Sequence, residues 1–148
     1  VVGHRARRLG IQSTHQAAID LVDEVVLESG SAGYSPKALY GVRLALDEAL
    51  SNAIQHGNRN NPNKNIVVDY SITSQELRIS VTDEGGGFEV ARSLTTPESA
   101  SGPGISLMVM YMTQVEYNQG GRCVTLVKHK SCSKPHSFDD AAQLYGLM

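Results

Sequence analysis

Residues 35–57 constrain this chain more than any other stretch. Ser35-Pro36 is a strong helix start, with Ser as the N-cap and Pro at the first helical position. Leu39, Val42, Leu46, Ala49, Leu50 and Ala53 then fall on one face of a helix running from Pro36 to His56. A helix with such a stripe has to lie on a core. Glu48, Asn52 and His56 follow at steps of four. Each step advances about 40° around the helix, so the three side chains form a narrow column. The column runs along the edge of the apolar face, where a side chain looks into a cleft rather than open water. Carboxylate, amide and imidazole in a row suit a divalent metal, an activated water and a phosphate ester. Taken alone, Glu and Asn are equally at home on a solvated helix face. Gly57 stands where a left-handed helix terminator is expected.

The elements around this helix predict an α+β fold. Arg8 to Gln12 reads as a short opening strand. Ser13 or Thr14 caps a helix to about Ser29, with Ala18, Leu21, Val22, Val25 and Val26 as its stripe. Gly30 to Gly33 breaks that helix, and Asn58 to Lys64, with Pro62, is a polar turn. Ile66 to Ile72 and Glu76 to Thr82 alternate as antiparallel partners. Asp83 to Ser101, rich in Gly, Ser and Thr, is too long for a tight connection and is a candidate lid. Ile105 to Met112 reads as a helix, and Gln114 to Asn118 with Arg122 to His129 as a hairpin around Gln119-Gly120-Gly121. The sum is a two-layer sandwich, a mostly antiparallel sheet with helices on one face. Its domain is expected over residues 1–130, followed by a tail, 131–148, with a possible short helix from Asp139 to Leu147.

Composition excludes several classes. A chain of 148 residues with net charge −2 has no broad basic surface for direct nucleic-acid binding. Arg5, Arg7 and Arg8 cluster at the start and read as a solvated leading segment. No apolar run approaches the roughly 18 residues of a membrane span, and no secretory signal pattern opens the chain. Cys123 and Cys132 do not form a CxxC pair, so two free thiols in a cytoplasmic protein are expected. His129, Cys132 and His136 are spaced too irregularly to read as a metal site.

Two further motifs complement the helix column. Asp83-Glu84-Gly85-Gly86-Gly87-Phe88 directly follows a strand. A carboxylate there can accept hydrogen bonds from an exocyclic amine such as that of adenine. Glycines beside it let the backbone approach a flat ring. A glycine-rich turn capped by Asp is the plain alternative. Gly102-Pro103-Gly104 precedes the helix opening at Ile105, and amides at a helix N-terminus can take phosphate oxygens. A lone Gly-x-Gly is otherwise just a loop end.

In this order and spacing, Glu48-x-x-x-Asn52-x-x-x-His56-Gly57, Asp83-x-Gly85-x-Gly87-Phe88 and Gly102-x-Gly104-Ile105 form a specific series. The chain resembles the nucleotide-binding domain shared by gyrase-type ATPases, heat-shock chaperones, histidine kinases and mismatch-repair ATPases, the Bergerat-type fold. The resemblance covers roughly Arg8 to His129. Leu46-Asp47-Glu48-Ala49-Leu50-Ser51-Asn52-Ala53 is most similar to the helix motif of stand-alone bacterial anti-sigma factors that are also serine protein kinases.

That resemblance implies ATP and Mg²⁺ as cofactors. It implies Glu48 as general base, Asn52 as the Mg²⁺ ligand and Asp83 as the adenine contact. Gly85, Gly87, Gly102, Gly104 and Ile105 would shape the pocket and lid. The implied partners are a sigma factor and a small anti-sigma antagonist whose serine is phosphorylated, with the chain acting as a homodimer. Three departures stand out: Ile105 where Leu is usual, Pro103 between the glycines, and Gly121-Arg122-Cys123 where Gly-Thr-Thr is common. Two other functions stay open, a nucleotide-gated binding module without kinase activity and the detached catalytic domain of a sensor histidine kinase. Against the latter, none of the five histidines lies in a phospho-acceptor helical hairpin.

Overall fold

A computed structural model describes residues 5–85 and 103–134. Strand β1 (Arg5–Gln12) leads into helix α1 (His15–Ser31) and helix α2 (Pro36–Asn52), which continues as a π turn (Ala53–Gly57). Strands β2 (Asn65–Ile72) and β3 (Glu76–Thr82) follow, then helix α3 (Pro103–Tyr111) and strands β4 (Gln114–Asn118) and β5 (Cys123–His129). The five strands form one antiparallel sheet in the order β1-β2-β3-β5-β4. This is the α+β sandwich that the sequence predicts.

Alternation sets which face carries the helices. Ile66, Val68, Tyr70 and Ile72 of β2 and Leu77, Ile79 and Val81 of β3 are buried against Leu21, Val22 and Val25 of α1 and Val42, Leu46 and Leu50 of α2. Met108 and Met112 complete the same core. Strand β5 is buried on both faces from Cys123 to Lys128, as a central strand between β3 and β4. On its second face Thr125 bonds the Ser80 hydroxyl at 2.8 Å.

Both long helices begin at side-chain caps. Thr14 Oγ1 accepts the Ala17 amide at 3.3 Å, and Ser35 Oγ accepts that of Ala38 at 3.1 Å with Pro36 directly after it. Gly33, at φ 93, takes the left-handed conformation that ends α1. Gly120 and Gly121, at φ 68 and 97, turn the β4–β5 hairpin where expected.

Three expectations need correction. The opening strand starts at Arg5, not Arg8, so its exposed arginines belong to the sheet rather than to a leading segment. Arg5 and Arg7 lie on the helix side of β1 and pair with Glu28 and Glu24 of α1, while Arg8 faces Asp69. The α-helix also stops at Asn52 rather than reaching His56. Finally, Gly57 is not a left-handed terminator: the positive φ values fall on Arg59 and Asn60, at 52° and 58°. The wider π turn carries the chain past Gly57, with the Asn58 amide bonded to Ala53 O and that of Asn60 to Ile54 O. Gly87 and Gly102, most of the candidate lid and the possible terminal helix lie outside the described residues.

Candidate functional site: a cleft between the end of α2 and the end of β3

The cleft forms where α2 passes from α-helix to π turn over the ends of β3 and β5. Its lining combines Ala49, Asn52 and Ala53 from the helix, Val81 and Asp83 from β3 and its exit, and Tyr117, Gly121, Arg122 and Val124 from the β4–β5 hairpin. The fold therefore brings two residues singled out in the sequence, Asn52 and Asp83, into one cleft. Glu48 lies one helical turn before Asn52, half-buried at the border of the face formed by Ala45, Leu46, Ala49 and Leu50. Neither the Glu48 carboxylate nor the Asn52 amide has a hydrogen-bond partner among the described residues. His56, beyond the change to π geometry, is exposed and leaves the column. Gly104 and Ile105 lie in the first turn of α3. The last turn of that helix packs on α2, with Tyr111 against Gly41 and edge-on to Tyr40 at 6.1 Å between ring centres.

Asp83 owes its position to two glycines. Its Oδ1 accepts the Gly85 amide at 2.7 Å, and its own amide donates to Arg122 O at 3.0 Å. A Cβ on Gly57 would overlap the Asp83 carboxylate. A Cβ on Gly85 would overlap Gly57 O. The end of the helix motif and the Asp-x-Gly turn are thus in direct backbone contact, and only glycine permits the approach. Burial raises the Asp83 pKa above the ordinary carboxylate value. The Gly85 amide, Arg122 and Lys64 act in the opposite direction without cancelling it. Across the cleft, burial pushes the Tyr117 hydroxyl up to about 12, so this wall is apolar with a neutral phenol.

A model of the histidine kinase-like ATPase domain matches residues 12–128, spanning the π turn, Asp83 and the cleft. The chain belongs to the histidine kinase-like ATPase family. Within it, the chain is similar to the anti-sigma F factor of Geobacillus kaustophilus, 36% identical over 104 residues, which cover 63% of this chain and 70% of that protein. The anti-sigma F factor of Anoxybacillus flavithermus is 30% identical over 103 residues with the same two coverages. The serine-protein kinase RsbW of Listeria innocua is 31% identical over 59 residues, 40% of this chain and 38% of that one. Among solved structures, the RsbU and RsbW domains of a Mycobacterium tuberculosis protein superpose with a TM-score of 0.56 at 18% identity. That match covers 84% of this chain and 31% of the solved one, and it supports the fold.

For an ATPase domain, one further residue matters that the sequence presents as part of a polar turn. Asn58 is fully buried. Its Nδ2 donates to Asn65 O at 3.1 Å, and its Oδ1 accepts the Glu84 amide at 2.8 Å. It therefore ties the end of the π turn to the start of β2 and to the Asp83 turn. Glu84 in turn accepts the Asn65 amide, so its side chain is engaged on the loop side of the turn. An Asn directly after the helix motif and 26 residues before Glu84 is a signal with no periodicity to flag it. A wider depression, about 560 Å³, lies at the other end of the sheet between Ser74–Glu76 and His129–Ser131. It shares no residue with the motifs, and the cleft remains the functional candidate.

Two chemical limits follow. Among the described residues no group of three His, Cys, Asp or Glu side chains could hold a metal by itself, and His129 and Cys132 do not form one. Asn52 fits a different arrangement. Its amide oxygen, without a partner among the described residues, is a hard neutral ligand of the kind Mg²⁺ accepts when phosphates and water fill most of its shell. Among the described residues no helix is long and apolar enough to cross a membrane.

Proposed function

We propose that this ATPase domain is an ATP-dependent serine protein kinase that phosphorylates a small anti-sigma antagonist and sequesters a sigma factor in the cytoplasm. The observation that carries the reading is the meeting of Asn52 and Asp83 in one cleft, with Glu48 one turn away and without a hydrogen-bond partner among the described residues. Similarity to two anti-sigma F factors and to a serine-protein kinase supports the class of reaction.

Each residue then has a task. Asp83 accepts a hydrogen bond from the adenine amine, with Gly57 and Gly85 admitting the close approach. Val81, Val124 and Tyr117 exclude water from the base. Asn52 offers its amide oxygen to Mg²⁺, which when bound neutralises charge on the transferring phosphoryl group. Glu48 accepts the proton of the incoming serine hydroxyl. Gly104 and Ile105, at the N-terminus of α3, direct amides toward phosphate oxygens, with Gly87 and Gly102 belonging to the lid. The kinase unit spans residues 1–130, with 131–148 as an appendage, and it works as a homodimer.

The test is phosphoryl transfer from labelled ATP to candidate antagonist proteins, comparing wild type with Glu48→Ala. Transfer should fall by about a hundredfold or more, in the range of a lost general base, while ATP still binds. Near-normal transfer by the variant would remove Glu48 from its role. ATP binding without transfer to any antagonist by the wild type would favour the second reading, a nucleotide-gated binding module. The presence of Arg122 where family members commonly carry a hydroxyl makes that reading worth testing. Sedimentation of the full chain tests the homodimer.

A further inference from the structure

Three hydrogen bonds close a ring behind the Asp83 turn. The Glu84 amide donates to Asn58 Oδ1 at 2.8 Å, Asn58 Nδ2 donates to Asn65 O at 3.1 Å, and the Asn65 amide donates back to the Glu84 carboxylate. Asn58 is the fully buried member, and both ends of its amide are used. Asparagine suits this place because one short planar group carries both a donor and an acceptor.

The ring lies where the backbone is costly to hold. The π turn of Ala53–Gly57 is followed, one residue on, by Arg59 and Asn60, both left-handed at φ 52 and 58. Residues other than glycine occupy that region only where their surroundings impose it. Asn58 stands between the two irregular stretches and bonds out of them, to β2 and to the Asp83 turn.

The consequence reaches Asp83. Its own amide is held by Arg122 O at 3.0 Å, and the Gly85 amide is held by its Oδ1 at 2.7 Å. The amide between them, that of Glu84, is held by Asn58. This bond fixes the plane of the peptide between Asp83 and Glu84, and that plane decides whether the Gly85 amide meets Oδ1. With Oδ1 engaged, the rotation of the carboxylate is set and so is the direction of Oδ2. Without Asn58 the Glu84 amide must turn toward another acceptor, and the Asp83 turn loosens.

We propose that Asn58 is a positioning residue for base recognition, one that sets the Asp83 carboxylate for the exocyclic amine of the nucleotide base. The inference rests on the cleft being the nucleotide site proposed above. Asn58 acts through Asp83 and not by touching the nucleotide.

The test isolates the amine contact from the rest of binding. Calorimetry on the full chain compares Mg²⁺-ATP with the Mg²⁺ complex of purine riboside triphosphate, which differs only in lacking the 6-amine, in wild type and in Asn58→Ala. Wild type should prefer ATP by about tenfold or more, as one hydrogen bond to a carboxylate allows. In Asn58→Ala the preference should fall to about threefold or less, through weaker binding of ATP. A merely structural role would weaken both nucleotides alike, so a preference that stays above that level overturns the proposal. If Asn58→Ala fails to fold, it is made together with Arg59→Gly and Asn60→Gly, which relieve the left-handed strain without touching the ring, and the preference must still fall. The glycine pair alone should keep the wild-type preference. Its loss there would make the stiffness of the turn, not Asn58, the cause, and would overturn the proposal. A selective wild type beside an equally selective Asn58→Ala sinks this inference and leaves the kinase reading intact. A wild type that binds both nucleotides equally removes the contact of Asp83 with the amine, and this inference with it. Binding of neither nucleotide overturns the nucleotide site itself.

Discussion

At the end of the sheet where β3 exits through Thr82, contact is made by backbone and by one buried amide. Gly57 and Gly85 touch, Asn58 links both to β2, and Asp83 takes a single amide. Among the described residues, Glu48, Asn52 and Asp83 Oδ2 keep unspent hydrogen-bonding capacity. At the other end, long side chains fill the carbonyls. Tyr34 donates to Thr73 O at 3.0 Å, and Lys130 donates to Ala32 O at 2.8 Å while lying over the Tyr34 ring. Lys128, fully buried on the helix side of β5, donates to Tyr111 O at 2.5 Å and to Lys134 O at 3.1 Å. It closes the C-terminus of α3, where a cation complements the helix dipole. One end leaves the polar groups of the cleft open, and the other uses long side chains to fill its carbonyls. Substitutions at the two ends should therefore separate binding from stability.

The largest effect is expected from Gly85→Ala. Its Cβ would meet a carbonyl that cannot rotate away, so the whole turn must shift. Nucleotide binding should be lost and stability should drop by about 3 kcal/mol, the upper range for overpacking. Titration with nucleotide and urea unfolding read the two effects. A variant that binds normally would show that the Gly57–Gly85 contact does not set the pocket. Lys128→Ala comes next, at about 2 kcal/mol, because it leaves Tyr111 O at the end of α3 and Lys134 O beyond β5 without their donor. Nucleotide affinity should stay within about twofold, since one turn of α3 and the length of β5 separate Lys128 from the cleft. Burial lowers the Lys128 pKa, so Lys128→Met, which removes a desolvated charge and keeps the volume, should cost less than Ala. Equal losses in both variants would mean that its packing, not its hydrogen bonds, holds the helix.

The sequence makes some of this contrast readable and hides the rest. Ile66 to Ile72 and Glu76 to Thr82 are legible as strands because each sets one face on the core, so polarity alternates. The cap at Ser35-Pro36 is legible because capping is local chemistry. The first residues of β1 are not, since Arg5 and Arg7 look like a solvated segment until α1 supplies Glu28 and Glu24 from far along the chain. The π turn is hidden for the same reason. The extra residue per turn is imposed by contacts of Gly57 with Asp83 and of Asn58 with β2, which no local propensity encodes. Lys128 occupies an inward strand position opposite Leu77, where a lysine breaks the pattern that reading depends on. Of the helix column, Asn52 lines the cleft and Glu48 lies one turn before it, whereas His56 is exposed beyond the change to π geometry.

Smaller effects sharpen the comparison further. Tyr34→Phe removes one hydrogen bond to Thr73 O across 39 residues and should cost about 1 kcal/mol, visible as a lower Tm with nucleotide affinity unchanged. The smallest effect on stability should come from Asp83→Asn, and it is a slope rather than an offset. Burial raises the Asp83 pKa above its unfolded value, so the native state holds the proton to higher pH than the unfolded state does. Its contribution is therefore fully present below the unfolded pKa and is lost as pH rises through the folded one. Stability of the wild type relative to Asp83→Asn should fall as pH rises from below the ordinary carboxylate value through the raised folded-state one, measured by urea unfolding at a series of pH values. A slope of the opposite sign would mean that Arg122 and Lys64 outweigh burial, and that the carboxylate is stabilised in the free protein. Above that window the ionised carboxylate sits partly desolvated in the cleft. A donor on the ligand then relieves it, which ties a modest cost in the free protein to the grip on the base.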